Sequence, residues 1–299
     1  KVSEIHYLKG NHPVPGEGSQ EAGKAIKRIL RGLNPEDLVL LLLSGGGSAL
    51  ATLPVNGVTL GDMQQLTDTL LRSGATISEM NSVRKHLDLI KGGGLLRMAA
   101  PARVVALVLS DVVGSPLDVI ASGPAYPDPS TFSNALEVIG RAENYGLIPV
   151  SIREHLENGA RGQIAETVKP GDELAESASH TIIGSNKESC QAAARKAEEL
   201  NFYAEVVTCD LVGEAREVGR RLALDARRSS ELPRPYVLVY GGETTVTITG
   251  KGKGGRNQEV ALAAVRDMAD LAGNLLITLA TDGEDGPTDA AGAVVDDNS

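Results

Sequence analysis

Cysteine is scarce in this sequence, at two in 299 residues. Cys190 and Cys209 form no C-x-x-C pair and have no histidines at ligand spacing, which argues against a disulfide framework or a zinc site and fits a reducing cytoplasm. Long apolar runs are missing too. None approaches the roughly 20 residues of a membrane span, and the amino end, KVSEIHYLKG, lacks a signal-peptide apolar stretch, so the expected protein is soluble with no membrane partner. Positive charge is in deficit: 29 Lys and Arg against 39 Asp and Glu give a formal charge of −10, which disfavours nucleic acid as a partner. The usual nucleotide and hydrolase signatures are absent as well. GSQEAGKA, residues 18–25, has P-loop spacing, but Ala25 stands where Ser or Thr is required and no apolar strand precedes it, so Lys24 reads as a surface helix residue. No complete G-x-G-x-x-G or G-x-S-x-G occurs, so dinucleotide binding and serine hydrolase chemistry lack their marks.

Hydrophobic residues make up 41%, enough for two moderate domains. Short apolar runs alternate with amphipathic stretches: LVLLLL at 38–43, VVALVL at 104–109, TIIG at 181–184, YVLVY at 236–240 and LLITLA at 275–280. Unbroken runs of this kind suit strands covered on both faces, and the segments between them read as helices, one capped by Thr59 and another by Ser185 or Asn186. The alternation predicts a two-domain α/β protein with a mostly parallel, Rossmann-like sheet. Polar VKPGDELAESAS at 168–179 is the expected linker, dividing a larger domain, 1–176, from a smaller α/β domain, 177–299.

In open parallel sheets the ligand crevice lies beyond the carboxyl ends of the strands. Here SGGGSAL, SDVVGSP, GSN, GGE and TDGEDGPTD follow the runs in order. Any one of these loops fits simple chain turning; all of them together favour a site. The SGGGS stretch (Ser44, Gly45, Gly46, Gly47, Ser48) lets backbone approach a ligand closely and aim N–H groups at an anion. Asn81, Arg84, Lys85 and Lys91 fall on one expected helical stretch, either a ligand-facing cluster or a solvated face. Asp111, directly after a buried strand, can accept a substrate proton, bind Mg²⁺ or cap a turn. Gly241, Gly242 and Glu243 repeat the strand, glycine, acid pattern. Asp282, Gly283, Glu284, Asp285 and Asp289 make an acidic turn that suits a divalent metal beside a nucleotide or an exposed loop, with spacing that misses the EF-hand. Lys251, Lys253, Gly254, Gly255, Arg256 and Asn257 precede an amphipathic helix, which Asn257 can cap; free helix-start N–H groups with Arg256 would receive phosphate. His12, between Asn11 and Pro13, reads as a loop histidine.

In this order, GNHPVPGEGS, LLLSGGGSAL, GATISEMNSVRKHLDLIKGGGL, LSDVVGSPLDVIASGP, GGETTVTITGKGKGGRNQE and TDGEDGPTDAAG resemble the glycerate 2-kinase family, the type II glycerate kinases with a C-terminal MOFRL domain. The resemblance implies ATP-dependent phosphorylation of D-glycerate, typically at its 2-hydroxyl, in a cleft between two α/β domains, with a MOFRL region at about 234–299. An older label, hydroxypyruvate reductase, is the competing reading, with a noncatalytic small-anion binder as another. Carried onto this sequence, the family implies substrate contacts from the SGGGS loop, Asn81, Arg84 and Lys85, and catalytic roles for Arg256, Asp111 and Lys91. ATP contacts would come from Gly241, Gly242, Glu243, Gly254, Gly255, Asn257, Asp282 and Gly283, and Mg²⁺ contacts from Asp111 and Asp282. A homo-oligomer is compatible. The family's upstream GKA lysine and downstream HND and TGTN motifs have no counterpart here, and Lys24 lies on the wrong side of HPVP to replace that lysine. The expectation is a piece of a longer chain.

Overall fold

A computed structural model describes residues 5–141 and 145–299. The chain divides into two compact units, Lys1–Ser185 and Asn186–Ser299.

The first unit carries helices α1 (Glu17–Ile29), α2 (Gly47–Leu50), α3 (Leu60–Arg72), α4 (Ile77–His86), α5 (Gly94–Ala99), α6 (Phe132–Arg141), α7 (Val150–Ala160) and α8 (Glu173–Glu176). Its strands β1 (Leu38–Leu43), β2 (Arg103–Leu109) and β3 (Ala178–Gly184) form one parallel sheet in that order. Helix starts follow local chemistry. Thr59 caps α3 by accepting from the Asp62 N–H while the Asp62 carboxylate accepts from the Thr59 N–H, and Thr76 and Glu79 repeat this reciprocal pairing at α4. Apolar residues at helical spacing then bury one face of each helix: Leu66, Leu70, Val83, Leu87, Ile139, Ile152 and Leu156 close the core of a helical layer. Lys24 lies on α1 and pairs with Glu21 at 2.7 Å on the surface.

In the second unit, α9 (Asn186–Glu199), α10 (Ala215–Arg228) and α11 (Arg256–Met268) accompany the parallel pair β4 (Tyr203–Glu214) and β5 (Tyr236–Thr245). The last two strands, β6 (Leu275–Leu279) and β7 (Gly292–Asp296), pair antiparallel. Ala223, Ala261, Ala264, Met268 and Val295 form a core in which small side chains let α10 and α11 pack closely.

All of the apolar runs are strands, so the α/β alternation is as expected. Their burial is not. Along β1, Leu38, Leu40 and Leu42 are 64%, 58% and 68% exposed, while Val39 and Leu41 pack inward. One face of this strand is covered and the other is open, giving the period-two pattern of a one-sided sheet. Residues 168–179 are not a free linker either. Val168 is fully buried, its N–H donates to Gly92 O and its carbonyl accepts from the Asp128 N–H, and the segment runs into β3, which pairs with β2. The division therefore falls after Ser185, where the first sheet is complete.

Candidate active site

A cavity of about 240 Å³ opens in the first unit at the carboxyl ends of β1 and β2, where parallel sheets place their ligands. Several segments of the chain build it. The loop after β1 contributes Gly45 and Gly46, continuing into Gly47 and Ser48 of α2; the loop after β2 contributes Asp111; α3 supplies Met63, Gln64 and Thr67; and Arg84 comes from α4. His12, Thr52 and Lys91 complete the polar wall.

The glycines of the SGGGS loop have specific causes. A Cβ on Gly45 would lie 2.0 Å from Asp111 Oδ2, so the Asp111 carboxylate rests against bare backbone. Gly46 has φ +76, and a Cβ there would stand 3.2 Å from the His12 ring. A Cβ on Gly47 would meet the Ala121 methyl at 2.9 Å. Ala121 and Ser122, with φ 50 and 61, are themselves left-handed and held by hydrogen bonds from the Gly92 N–H to Ser122 O and from the Gly93 N–H to Gly123 O. The loop carrying His12 is set by Ser19, a fully buried residue in the first turn of α1 whose Oγ accepts from the Asn11 and Gly16 N–H groups.

Two cations in the wall differ. Burial pulls the Arg84 pKa below its ordinary value, yet guanidinium remains charged. It makes a long donation to Thr67 Oγ1 at 3.4 Å, and among the described residues no carboxylate lies within ion-pair distance of it. A desolvated guanidinium without an anion is an anion receptor. Lys91 is instead paired with buried Asp88 at 2.5 Å. It lies past the end of α4, not on one helix with Arg84 as the sequence suggested, because α4 stops at His86 and the chain turns back.

The remaining substrate-side residues stand elsewhere. Lys85, one position after Arg84 and hence rotated by about 100° around the helix, points into the core and donates to Asp128 at 3.2 Å, with Asp118 at 3.5 Å. Asn81 is buried behind the loop: Ser122 Oγ donates to its Oδ1 at 3.3 Å and sits 2.9 Å from Ser48 Oγ. Ser44 is exposed and outside the cavity wall.

In the second unit the helix start expected to receive phosphate already holds an anion. The buried carboxylate of Asp285 accepts from the Asn257 and Gln258 N–H groups at 2.9 and 2.8 Å and from both side-chain amides. Asn257 is therefore inside α11, whose cap position is Gly255, and the capping group arrives from 28 residues downstream. A Cβ on Gly255 would collide with the Asp285 carboxyl carbon at 2.2 Å, which explains that glycine. Burial pushes the Asp285 pKa up, but the Asn257 and Gln258 hydrogen bonds outweigh it and hold the group below the usual carboxylate range. Asp285→Ala is expected to cost the second unit about 1–3 kcal/mol in urea unfolding at pH 7. Since the folded pKa is depressed, that difference should be full above the ordinary value near 4 and shrink as pH falls through the folded pKa; an unchanged midpoint would remove the capping role.

Arg256 and Glu243 form an exposed ion pair with each other. Gly241 and Gly242 are required by packing, since a Cβ on the first would strike Cys190 Sγ at 2.2 Å and on the second Leu211 O at 2.0 Å. Gly254, Asp282 and Gly283 lie in exposed turns, where Asp282 Oδ1 accepts from the Glu284 N–H at 3.1 Å. Among the described residues no group of three or more His, Cys, Asp or Glu is placed to hold a metal ion, so the acidic turn does not converge into a cage. Sequence reasoning passed over Thr52, Gln64 and Thr67 and set His12 aside; only His12, flanked by the rigid HPVP prolines, carried a local signal.

The family described as "Domain of unknown function (DUF4147)" matches residues 1–157, and the MOFRL family matches residues 236–299. A glycerate 2-kinase of Pyrococcus horikoshii is 44% identical over 301 residues, covering 99% of this chain and 67% of that protein. A D-glycerate 2-kinase of Thermotoga maritima is 44% identical over 299 residues, covering 99% and 69%. The crystal structure of the Thermotoga maritima glycerate kinase superposes with a TM-score of 0.84 at 43% identity, covering 97% of this chain and 68% of that one. This chain thus spans about two thirds of the length of these relatives, and with identity at that level across nearly all its residues, it belongs to the glycerate kinase family.

Proposed function

We propose that this protein transfers the terminal phosphoryl group of ATP to the 2-hydroxyl of D-glycerate, in the cytoplasm, and that the first-unit cavity holds the acid. The observation that carries this reading is the pairing, in one cavity, of a half-buried guanidinium that meets no carboxylate among the described residues, Arg84, with an exposed carboxylate seated on bare backbone, Asp111. The glycerate carboxylate satisfies Arg84 through two parallel N–H···O bonds. Held so, the acid turns its 2-hydroxyl to Asp111. The hydroxyl oxygen attacks the γ-phosphorus as Asp111 takes its proton, an O–P bond forms, the bond from phosphorus to the ADP oxygen breaks, and 2-phosphoglycerate and ADP leave. Phosphoryl transfer asks the protein chiefly for positioning and charge neutralisation, which this wall supplies.

Mg²⁺ fits this donor set, because it is commonly held by one or two carboxylates plus phosphate oxygens and water; Asp111 would hold it, and the ion would neutralise phosphate charge. The exposed Glu243, Arg256 and Asp282 and their flanking glycines are the proposed nucleotide-side groups. Arg256 would meet phosphate through its side chain, since Asp285 occupies the α11 amides. The test is the purified full-length protein with D-glycerate, ATP and Mg²⁺, read by ADP release and ³¹P NMR of the product. The expected result is 2-phosphoglycerate. NAD(P)H oxidation with hydroxypyruvate and no need for ATP, or glycerate binding without ADP formation, would replace the proposal.

A further inference from the structure

Beneath the cavity, two short backbone segments meet. The Leu89 N–H donates to Leu53 O at 2.8 Å and the Val55 N–H to Leu87 O at 3.0 Å, with Pro54 and Asp88 bridged in antiparallel register. This contact fixes Asp88 below the wall, 3% exposed, and its carboxylate is saturated. Oδ2 accepts from Thr52 Oγ1 at 2.5 Å, the Leu53 N–H at 3.2 Å and Lys91 Nζ at 2.5 Å, while Oδ1 accepts from the Ile90 N–H at 2.9 Å. Two of these donors, Thr52 and Lys91, line the cavity, and Asp88 does not.

A lysine ammonium carries three N–H groups and no acceptor. Asp88 takes one from Lys91, and Ala51 O, at 3.5 Å, takes a second. Lys91 is itself 3% exposed, so its head cannot swing into bulk water. A flexible four-carbon chain is thereby reduced to one placement at the cavity wall, with one N–H that meets no acceptor among the described residues.

We infer that Asp88 is a positioning residue: it holds the Lys91 ammonium and the Thr52 hydroxyl at the cavity wall so that Lys91 donates to an anionic oxygen of the bound substrate. This rests on the reading of the cavity as the glycerate site. Asp88 touches no substrate and acts through Lys91. The role differs from that of Arg84, which has no carboxylate to hold it among the described residues and would take its anion from the ligand.

The test compares Asp88→Asn, Lys91→Met and the double variant in the full-length enzyme, after the wild type has been shown to phosphorylate glycerate. A wild type without that activity counts against the proposed function, a failure separable from the one tested next. Each single variant is expected to raise KM by about tenfold or more, the worth of a charged hydrogen bond, and the double variant should be no worse than Lys91→Met alone. A rise in KM for glycerate places the anionic oxygen on the acid; a rise in KM for ATP places it on the transferring phosphoryl group, and both uphold the role. A merely structural Asp88 lowers the folded fraction, and with it apparent kcat, while leaving KM at the wild-type value; that pattern overturns the inference. So does a double variant whose losses multiply. Should Asp88→Asn fail to fold, the double variant, which removes both buried charges together, stands in for it. It must match Lys91→Met, and a double variant that also fails to fold overturns the inference.

Discussion

Replacing Asp111 by asparagine is expected to lower kcat by about 10²–10⁴-fold, the usual worth of a positioned general base, with KM for D-glycerate held near its wild-type value. The separation follows from the division of labour in the cavity. In the proposed mechanism Arg84 grips the carboxylate whether or not the reaction proceeds, whereas the proton leaves the 2-hydroxyl only on the way to the transition state. Asparagine keeps the shape of aspartate beside Gly45, so the loop need not move. Steady-state kinetics at saturating ATP measure the effect. A variant retaining more than about a tenth of wild-type kcat would deny Asp111 the role of base, and one whose loss lay entirely in KM would make it a binding group.

Asp128→Ala is expected to destabilise the first unit by about 3–5 kcal/mol, as measured by urea unfolding at pH 7, because it strands a buried lysine. Lys85 would keep only Asp118 at 3.5 Å, and the Ser130 and Thr167 hydroxyls would lose the acceptor they share. Burial raises the Asp128 pKa, but Lys85 and the Ser130 hydrogen bonds more than offset it and hold the carboxyl below its ordinary value. A depressed folded pKa contributes stability that is whole above the unfolded value near 4 and is lost as pH falls through the folded one. The gap between wild type and variant should therefore narrow under acid conditions. A gap that widens on acidification would mean the pair does not work as an ion pair.

Much of the fold was legible because its signals are local. Unbroken aliphatic runs bounded by glycine and acid mark strand ends, and T-x-x-D and T-x-x-E mark the starts of α3 and α4. The same strand ends point to Gly45, Gly46, Gly47 and Ser48 of the SGGGS loop and to Asp111, which share one wall with Arg84 and Lys91. What was hidden depends on rotation and distance. Arg84 and Lys85 look alike on paper, and only the turn of α4 sends one to the cavity and the other to Asp128. The Asp285 cap joins residues 28 apart, and no spacing rule ties an acidic turn to a preceding helix start. Thr52, Gln64 and Thr67 are ordinary polar residues whose place in the wall arises from packing alone.

The left-handed backbone at Ala121 and Ser122 sets a limit on how far this enzyme can be hardened. Such conformations cost of order 1–3 kcal/mol each in non-glycine residues, so a glycine at 121 would be the obvious thermostabilising exchange. It would also erase the methyl group beside Gly47, and the SGGGS loop would gain slack as the fold gained robustness.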